Sequence, residues 1–322
     1  MVVKALSAPA LADIRLAAEI LAPYIIRSPL LQLKSGGRSS EILLKLENLQ
    51  AIGAFKARPM GNVLLNADPA ALQKGAYTAS SGNAGLGLAW MANELELAAT
   101  VYAPDTAPAG KLAAIGKLGA QIQFLTEDEW WKIIVNSGHP DDPGVYVDAV
   151  RDPSAMAGNG TIGLEIIEQA PDVDTVIIPF GGGGLSCGIA AAIRALRPDT
   201  RIIVAESDAA TPLTSALQAG RPVTVEMKSS FISGAGASSV LSEMWPLVSE
   251  LIDDTVVVPV ASVANAIRLL FERDKVIAEG AGAIAVAAAL VDEHDFGKTV
   301  CVVSGGNIDT EVMASILRHE VI

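Results

Sequence analysis

Four short segments carry residues whose types and spacing can do chemistry. Lys56 lies in Ala54-Phe55-Lys56-Ala57-Arg58, directly after an aromatic residue. A lysine amine held in a partly apolar pocket loses solvation of its charged form. Its pKa falls and it becomes a nucleophile toward aldehydes. A lysine taken singly is ordinarily a surface group on an apolar stem, and the chain has 11 of them, so the other segments decide the reading. Gly181-Gly182-Gly183-Gly184, followed by Leu185, ends an apolar run and opens a helical one. Glycines there let backbone amides approach a ligand, and the helix N-terminus favours an anion, so phosphate is the expected guest. Ser80-Ser81-Gly82-Asn83-Ala84-Gly85 has the same placement and offers hydroxyls and amides to a carboxylate. Alone it would serve equally as a helix cap. Ser304-Gly305-Gly306-Asn307 sets a hydroxyl at the mouth of a third strand, where ligands of parallel sheets collect. Together these turns and Lys56 describe a cleft for a phosphate, an aldehyde and a carboxylate.

A dinucleotide site is the first rival, because Glu206 closes the strand that follows the glycines, where a ribose-binding acid belongs. The GxGxxG spacing fails: counted from Gly181 or Gly182, the sixth residue is Ser186 or Cys187.

The elements that must position these groups alternate in type. Helical patterns are expected at 10–22, 58–65, 85–94, 109–118, 160–169, 185–196, 262–275 and 282–290. Strands are expected at 42–46, 75–79, 100–103, 121–125, 175–178, 201–205, 256–259 and 299–303. Residues 207–240 read as irregular loops, and 137–153, rich in Asp, Pro and Gly, as a crossing between lobes. This is the βαβ rhythm of an α/β protein built on parallel sheets. The division expected is a large domain of 1–50 plus 150–322 and a small domain of 51–149.

Composition agrees. Of the 322 residues 51% are hydrophobic but only 4% aromatic, which suits small residues packing helices on sheets. A net charge of −13 without a basic run argues against a nucleic-acid partner. Cys187 and Cys301 sit in apolar stretches and read as buried free thiols in a reducing compartment. His139, His294 and His319 form no ligand-like cluster, so a His/Cys metal site is not expected. No signal peptide is evident, and the apolar runs near 186–196 and 276–291 are broken by charge or rich in Gly and Ala. A cytoplasmic chain without membrane contact is the expectation.

From Ser28-Pro29-Leu30 to Ser304-Gly305-Gly306-Asn307 the chain resembles the serine/threonine dehydratases of fold-type II, pyridoxal-phosphate enzymes that include serine racemase. The resemblance implies a two-lobed α/β fold, a homodimer, and an ammonia-lyase that turns a 3-hydroxy-L-amino acid into a 2-oxo acid and ammonia. It implies that Lys56 bonds to the cofactor aldehyde and later takes the substrate α-proton, that Phe55 packs on the pyridine ring, and that Asn83 meets its 3-oxygen. The amides of Gly181, Gly182, Gly183, Gly184 and Leu185 would hold the phosphate, and Ser304 would face the pyridine nitrogen. A hydroxyl there leaves the ring neutral and the electron sink weak. Ser80, Ser81, Gly82, Asn83 and Ala84 would surround the substrate carboxylate. Ser81 matches the hydroxyl that acts on the opposite ring face in the racemase.

The chain departs from the family pattern at Ala54, at Pro59-Met60 and at Ala84. Ala54 and Ala84 are expected to enlarge or depolarise the pocket, favouring a bulkier β-substituent such as the phenyl of 3-phenylserine. The family's divalent-cation site (Mg or Ca) is matched by Glu206 and the Ala210 carbonyl. Pro212 replaces its second carboxylate, and Asp208 substitutes only if the loop differs. No regulatory domain for isoleucine is expected after the catalytic unit. Racemisation, β-replacement and a catalytically silent ligand-binding protein on the same fold are the competing readings.

Overall fold

The computed structural model describes residues 6–34, 41–107, 109–291 and 295–320. Ten strands form two sheets among them. They are β1 Leu30–Gln32, β2 Ile42–Leu46, β3 Ala76–Ala79, β4 Ala99–Pro104, β5 Gln121–Leu125, β6 Val145–Tyr146, β7 Thr175–Pro179, β8 Arg201–Ser207, β9 Asp254–Val258 and β10 Thr299–Val303. Six order as β1-β2-β10-β7-β8-β9 and four as β5-β4-β3-β6. Every pairing is parallel except β1 on β2.

The central strands are continuous apolar runs. Thr175-Val176-Ile177-Ile178-Pro179 and Thr299-Val300-Cys301-Val302-Val303 are buried throughout, as strands covered by helices on both faces must be. The helix Gly280–Ala289 is buried on all sides and built almost wholly from Gly and Ala, which lets it lie close to the six-stranded sheet. Cys187 and Cys301 are both buried and free, and burial pushes the Cys187 thiol up to about 12. No helix of the described residues is long and apolar enough to cross a membrane.

Three expectations change. The helix expected at 160–169 starts at Pro153, where Asp152 caps it by accepting from the Ser154 N–H at 2.7 Å. Its early Gly-Asn-Gly is buried against the neighbouring helices. The stretch 207–240 holds a helix, Pro212–Ala219. The pattern read as one helix over 262–275 is the helix Val260–Leu269 followed by a π-helical turn, Leu270–Asp274. Helices Glu127–Val135, Trp245–Leu251 and Thr310–Leu317, and strands β1 and β6, were not expected from the pattern at all.

Candidate active site

The carboxyl ends of β3, β7 and β10 open into one cavity of about 470 Å³. It is lined by Phe55, Lys56, Ser80, Ser81, Gly82, Asn83, Ala84, Gly181, Gly182, Gly183, Gly184, Leu185 and Ser304, so the structure gathers the residues of all four segments.

Lys56 stands at the first turn of the helix Ala57–Asn66. The Phe55 N–H donates to the Ser304 carbonyl at 2.9 Å, which ties the lysine segment to the end of β10. The Lys56 amine lies 4.8 Å from the centroid of the Phe55 ring. Burial lowers its pKa from the usual 10.5 to about 8, against a smaller upward pull from Asp148. A lysine so placed is in part a neutral nucleophile near neutral pH.

Beneath it lies a buried ionic network. Arg58 donates to Glu47 at 2.8 Å and to Glu165 at 2.7 Å, and Lys45 donates to Glu165 at 2.5 Å. Burial alone would raise the Glu165 pKa, but Arg58 and Lys45 outweigh it and hold the carboxyl below its usual 4.5. Burial also lowers Lys45, which would favour its neutral form. The geometry decides for the ammonium, because its three N–H bonds meet Ser28 O, Glu165 and Gln169.

The glycine turn fits a phosphate. Gly183 has φ +95°, a left-handed conformation that a Cβ would strain, and it starts the helix Gly184–Leu196. None of the amides of Gly181 to Leu185 donates to a described residue. Those orphan donors at a helix N-terminus are an anion cradle. Asn159, buried on the helix Pro153–Gln169, donates to the Gly184 carbonyl at 3.0 Å and holds the cradle from behind.

Ser304 is buried at the end of β10, and its hydroxyl has no partner among the described residues. A hydroxyl facing the cavity suits a neutral ring nitrogen. On the serine turn, Gly85 must lack a Cβ, which would fall on the Ser80 carbonyl. Asn83 donates from Nδ2 to Glu279 Oε1 at 2.6 Å and accepts at Oδ1 from Asn307 at 2.8 Å. Its second Nδ2 proton is left for a ligand. The arrangement fits pyridoxal phosphate: amide cradle for the phosphate, Lys56 for the aldehyde, Asn83 and Ser304 for the ring's polar atoms.

Glu279 and Asn307 were not assigned these contacts from sequence. The signal for Glu279 was its place as an acid inside the apolar run 276–291, since a buried carboxylate must have partners. Trp130, Ile134, Tyr146 and Asp148 line the cavity too and were also missed.

Two expectations are corrected. Ala54 does not shape the cavity: it is fully buried and its backbone bridges to Gly305, so its methyl faces that joint. Ala84 does line the cavity. The cation site at Glu206 and Ala210 is not assembled. The Glu206 carboxylate accepts from the Leu213 and Thr214 N–H groups at 2.8 and 2.9 Å and from the Thr214 hydroxyl at 2.6 Å. It caps the helix Pro212–Ala219, and the donors' positive ends already occupy it. Asp208 turns away to the Val260 N–H at 3.0 Å. Among the described residues no three His, Cys, Asp or Glu side chains gather to hold a metal.

The pyridoxal-phosphate dependent enzyme family matches residues 21–305. An L-threonine ammonia-lyase of Geobacter sulfurreducens is 38% identical over 86% of this chain and 70% of its own length. The structure of maize serine racemase superposes with a TM-score of 0.90 at 31% identity, covering 97% of this chain and 98% of that one. A threonine deaminase structure gives a TM-score of 0.86 at 32% identity over 94% of this chain and 99% of that one. The chain belongs to the pyridoxal-phosphate-dependent enzymes, within the serine/threonine dehydratase family of fold-type II. It is a lyase of that family, and pyridoxal phosphate is its cofactor.

Proposed function

We propose that this chain is an ammonia-lyase that converts a 3-hydroxy-L-amino acid to a 2-oxo acid and ammonia. The observation that carries this is Lys56, its amine pKa lowered to about 8 by burial, in one cavity with an amide cradle and a serine turn. When bound, pyridoxal phosphate supplies the electron sink that acidifies the substrate's α-C–H. The amides of Gly181 to Leu185 hold its phosphate, Asn83 its ring oxygen and Ser304 its ring nitrogen, while Phe55 packs on the ring. The turn Ser80 to Ala84 binds the substrate carboxylate. Lys56 accepts the α-proton at Nζ, for which an amine near neutral pKa is suited. The hydroxyl then departs from Cβ as water, taking the proton that Lys56 removed from Cα, and the enamine left behind takes up water to give the 2-oxo acid and ammonia.

Racemisation of serine is the second reading. It is favoured by the likeness to maize serine racemase and by the Ser81 hydroxyl, which lines the cavity. Ser81→Ala should lower D-amino acid formation far more than 2-oxo acid formation, with the D-amino acid read by chiral chromatography. Loss of both together would reject a separate proton-transfer role for Ser81.

The division into a large domain of 1–50 plus 150–322 and a small domain of 51–149 is supported by sheet membership, since β3 to β6 all fall in the second range. A homodimer is the proposed assembly. Ile26, Leu49 and Ile277 are each about half exposed, and the Asn48 side chain bonds the Ile277 carbonyl at 2.9 Å, which brings the segments that carry two of them together.

A further inference from the structure

The cavity's outer wall comes from the helix Glu127–Val135 and from β6. Trp130, Ile134 and Tyr146 contribute it, and all three pack with Tyr77, Ala79 and Tyr102. Ala79 directly precedes the Ser80 turn, so this wall borders the proposed carboxylate site. The wall is preformed. Trp130 Nε1 donates to the Tyr102 carbonyl at 3.1 Å, and the Tyr77 and Tyr146 ring centroids are 5.3 Å apart. Behind it, Tyr102 stacks on His139 at 5.1 Å and donates to Asp142 at 2.9 Å.

The charges tell the same way. Among the described lining side chains Lys56 is the one cation, and the proposed chemistry uses it. Asp148 accepts from the Val150 and Arg151 N–H groups and from Arg151 Nε at 2.6 Å, while Glu279 takes the Asn83 amide. Both are acids. A substrate with a second carboxylate would find no available cation among the described lining side chains, since Lys56 is used and the nearby Arg151 is already held by Asp148.

Resting on the dehydratase reading, we infer that Trp130, Ile134 and Tyr146 select a 3-hydroxy amino acid bearing an aryl group on Cβ, and exclude one bearing a carboxylate. An aromatic face beside a fixed indole and a fixed phenol gains both area burial and ring-edge contact. A site that merely gains apolar volume discriminates by about 10- to 200-fold.

The test uses the cofactor-loaded enzyme with threonine, 3-phenylserine and 3-hydroxyaspartate, reading 2-oxo acid formation. kcat/KM should be about tenfold or more higher for 3-phenylserine than for threonine, and lowest for 3-hydroxyaspartate. Trp130→Ala should cut the phenylserine-to-threonine ratio about tenfold. Ile134→Arg, which adds a cation, should raise the 3-hydroxyaspartate rate relative to the other two. Threonine turned over as well as 3-phenylserine, or a ratio unmoved in Trp130→Ala, would overturn the inference and leave the dehydratase reading standing. If no substrate gives a 2-oxo acid, the dehydratase reading fails. Calorimetry with phenylalanine, alanine and aspartate, none of which has a hydroxyl to lose, then decides the wall separately. Tightest binding of phenylalanine supports it, and tightest binding of aspartate rejects it.

Discussion

Lys56 draws its reactivity from where its amine is held. Burial is the larger influence and Asp148 the smaller, opposing one, which leaves the pKa at about 8 rather than 10.5. The sign follows directly: below about pH 8 the amine is mostly ammonium and unreactive, and above it the neutral form dominates. Labelling of Lys56 in the cofactor-free enzyme by an amine-selective reagent, followed by peptide mapping, should therefore rise through a midpoint near 8. A midpoint at the ordinary lysine value would show that the pocket does not desolvate it. The site's covalent and anion-binding groups were legible because each lies within a short motif at a strand end or a helix start. Trp130, Glu279 and the bond from Asn307 to Asn83 were not, because these contacts join positions far apart in sequence: Asn83 meets Glu279 196 residues later. Ala54 misled because a departure from the family pattern was read as a change in the pocket, whereas its backbone turns into the bridge with Gly305.

Strands and their terminal turns were readable because continuous Val and Ile runs admit few alternatives when both faces are covered. Helices were harder where glycine served packing rather than termination, as in Pro153–Gln169. The helix Glu127–Val135 was missed although Thr126 and Glu129 form a reciprocal capping box, which is a readable start signal. At this scale Glu206 is a cap. Glu206→Ala would strand the buried Leu213 N–H and the part-buried Thr214 N–H and should lower stability by about 1–3 kcal/mol, measured by denaturant unfolding. Adding a chelator, Mg or Ca should leave the melting temperature of the native chain unchanged, and a clear rise with either cation would restore the metal site. The ionic network joins the helix Ala57–Asn66 to β2 and to the helix Pro153–Gln169. Arg58→Leu leaves Glu47 buried without its main partner and should cost about 3–5 kcal/mol. Glu165 adds a pH dependence. Its folded pKa is depressed, so its contribution is present above about 4.5 and is lost as pH falls through the lower folded value. Melting temperature against pH should show that acid loss in the native chain and a weaker one in Arg58→Leu.

For the whole molecule, the two sheets bring four distant segments to one cavity, with Lys56 and the Ser80 turn meeting the glycine cradle and Ser304 there. Composition and the βαβ rhythm carried the fold class, and the order of the motifs carried the family. What they left open was the far wall of the cavity, whose residues belong to an unexpected helix and an unexpected strand. Light scattering should give twice the chain mass if the homodimer forms, and the single chain mass would reject it. The most direct test of the dehydratase reading is 2-oxo acid formation from serine, threonine and 3-phenylserine by the cofactor-loaded enzyme beside its Lys56→Ala variant. The account predicts keto acid and ammonia in equal amounts from at least one of them, abolished in the variant. No keto acid from any, or an undiminished rate without Lys56, would contradict it.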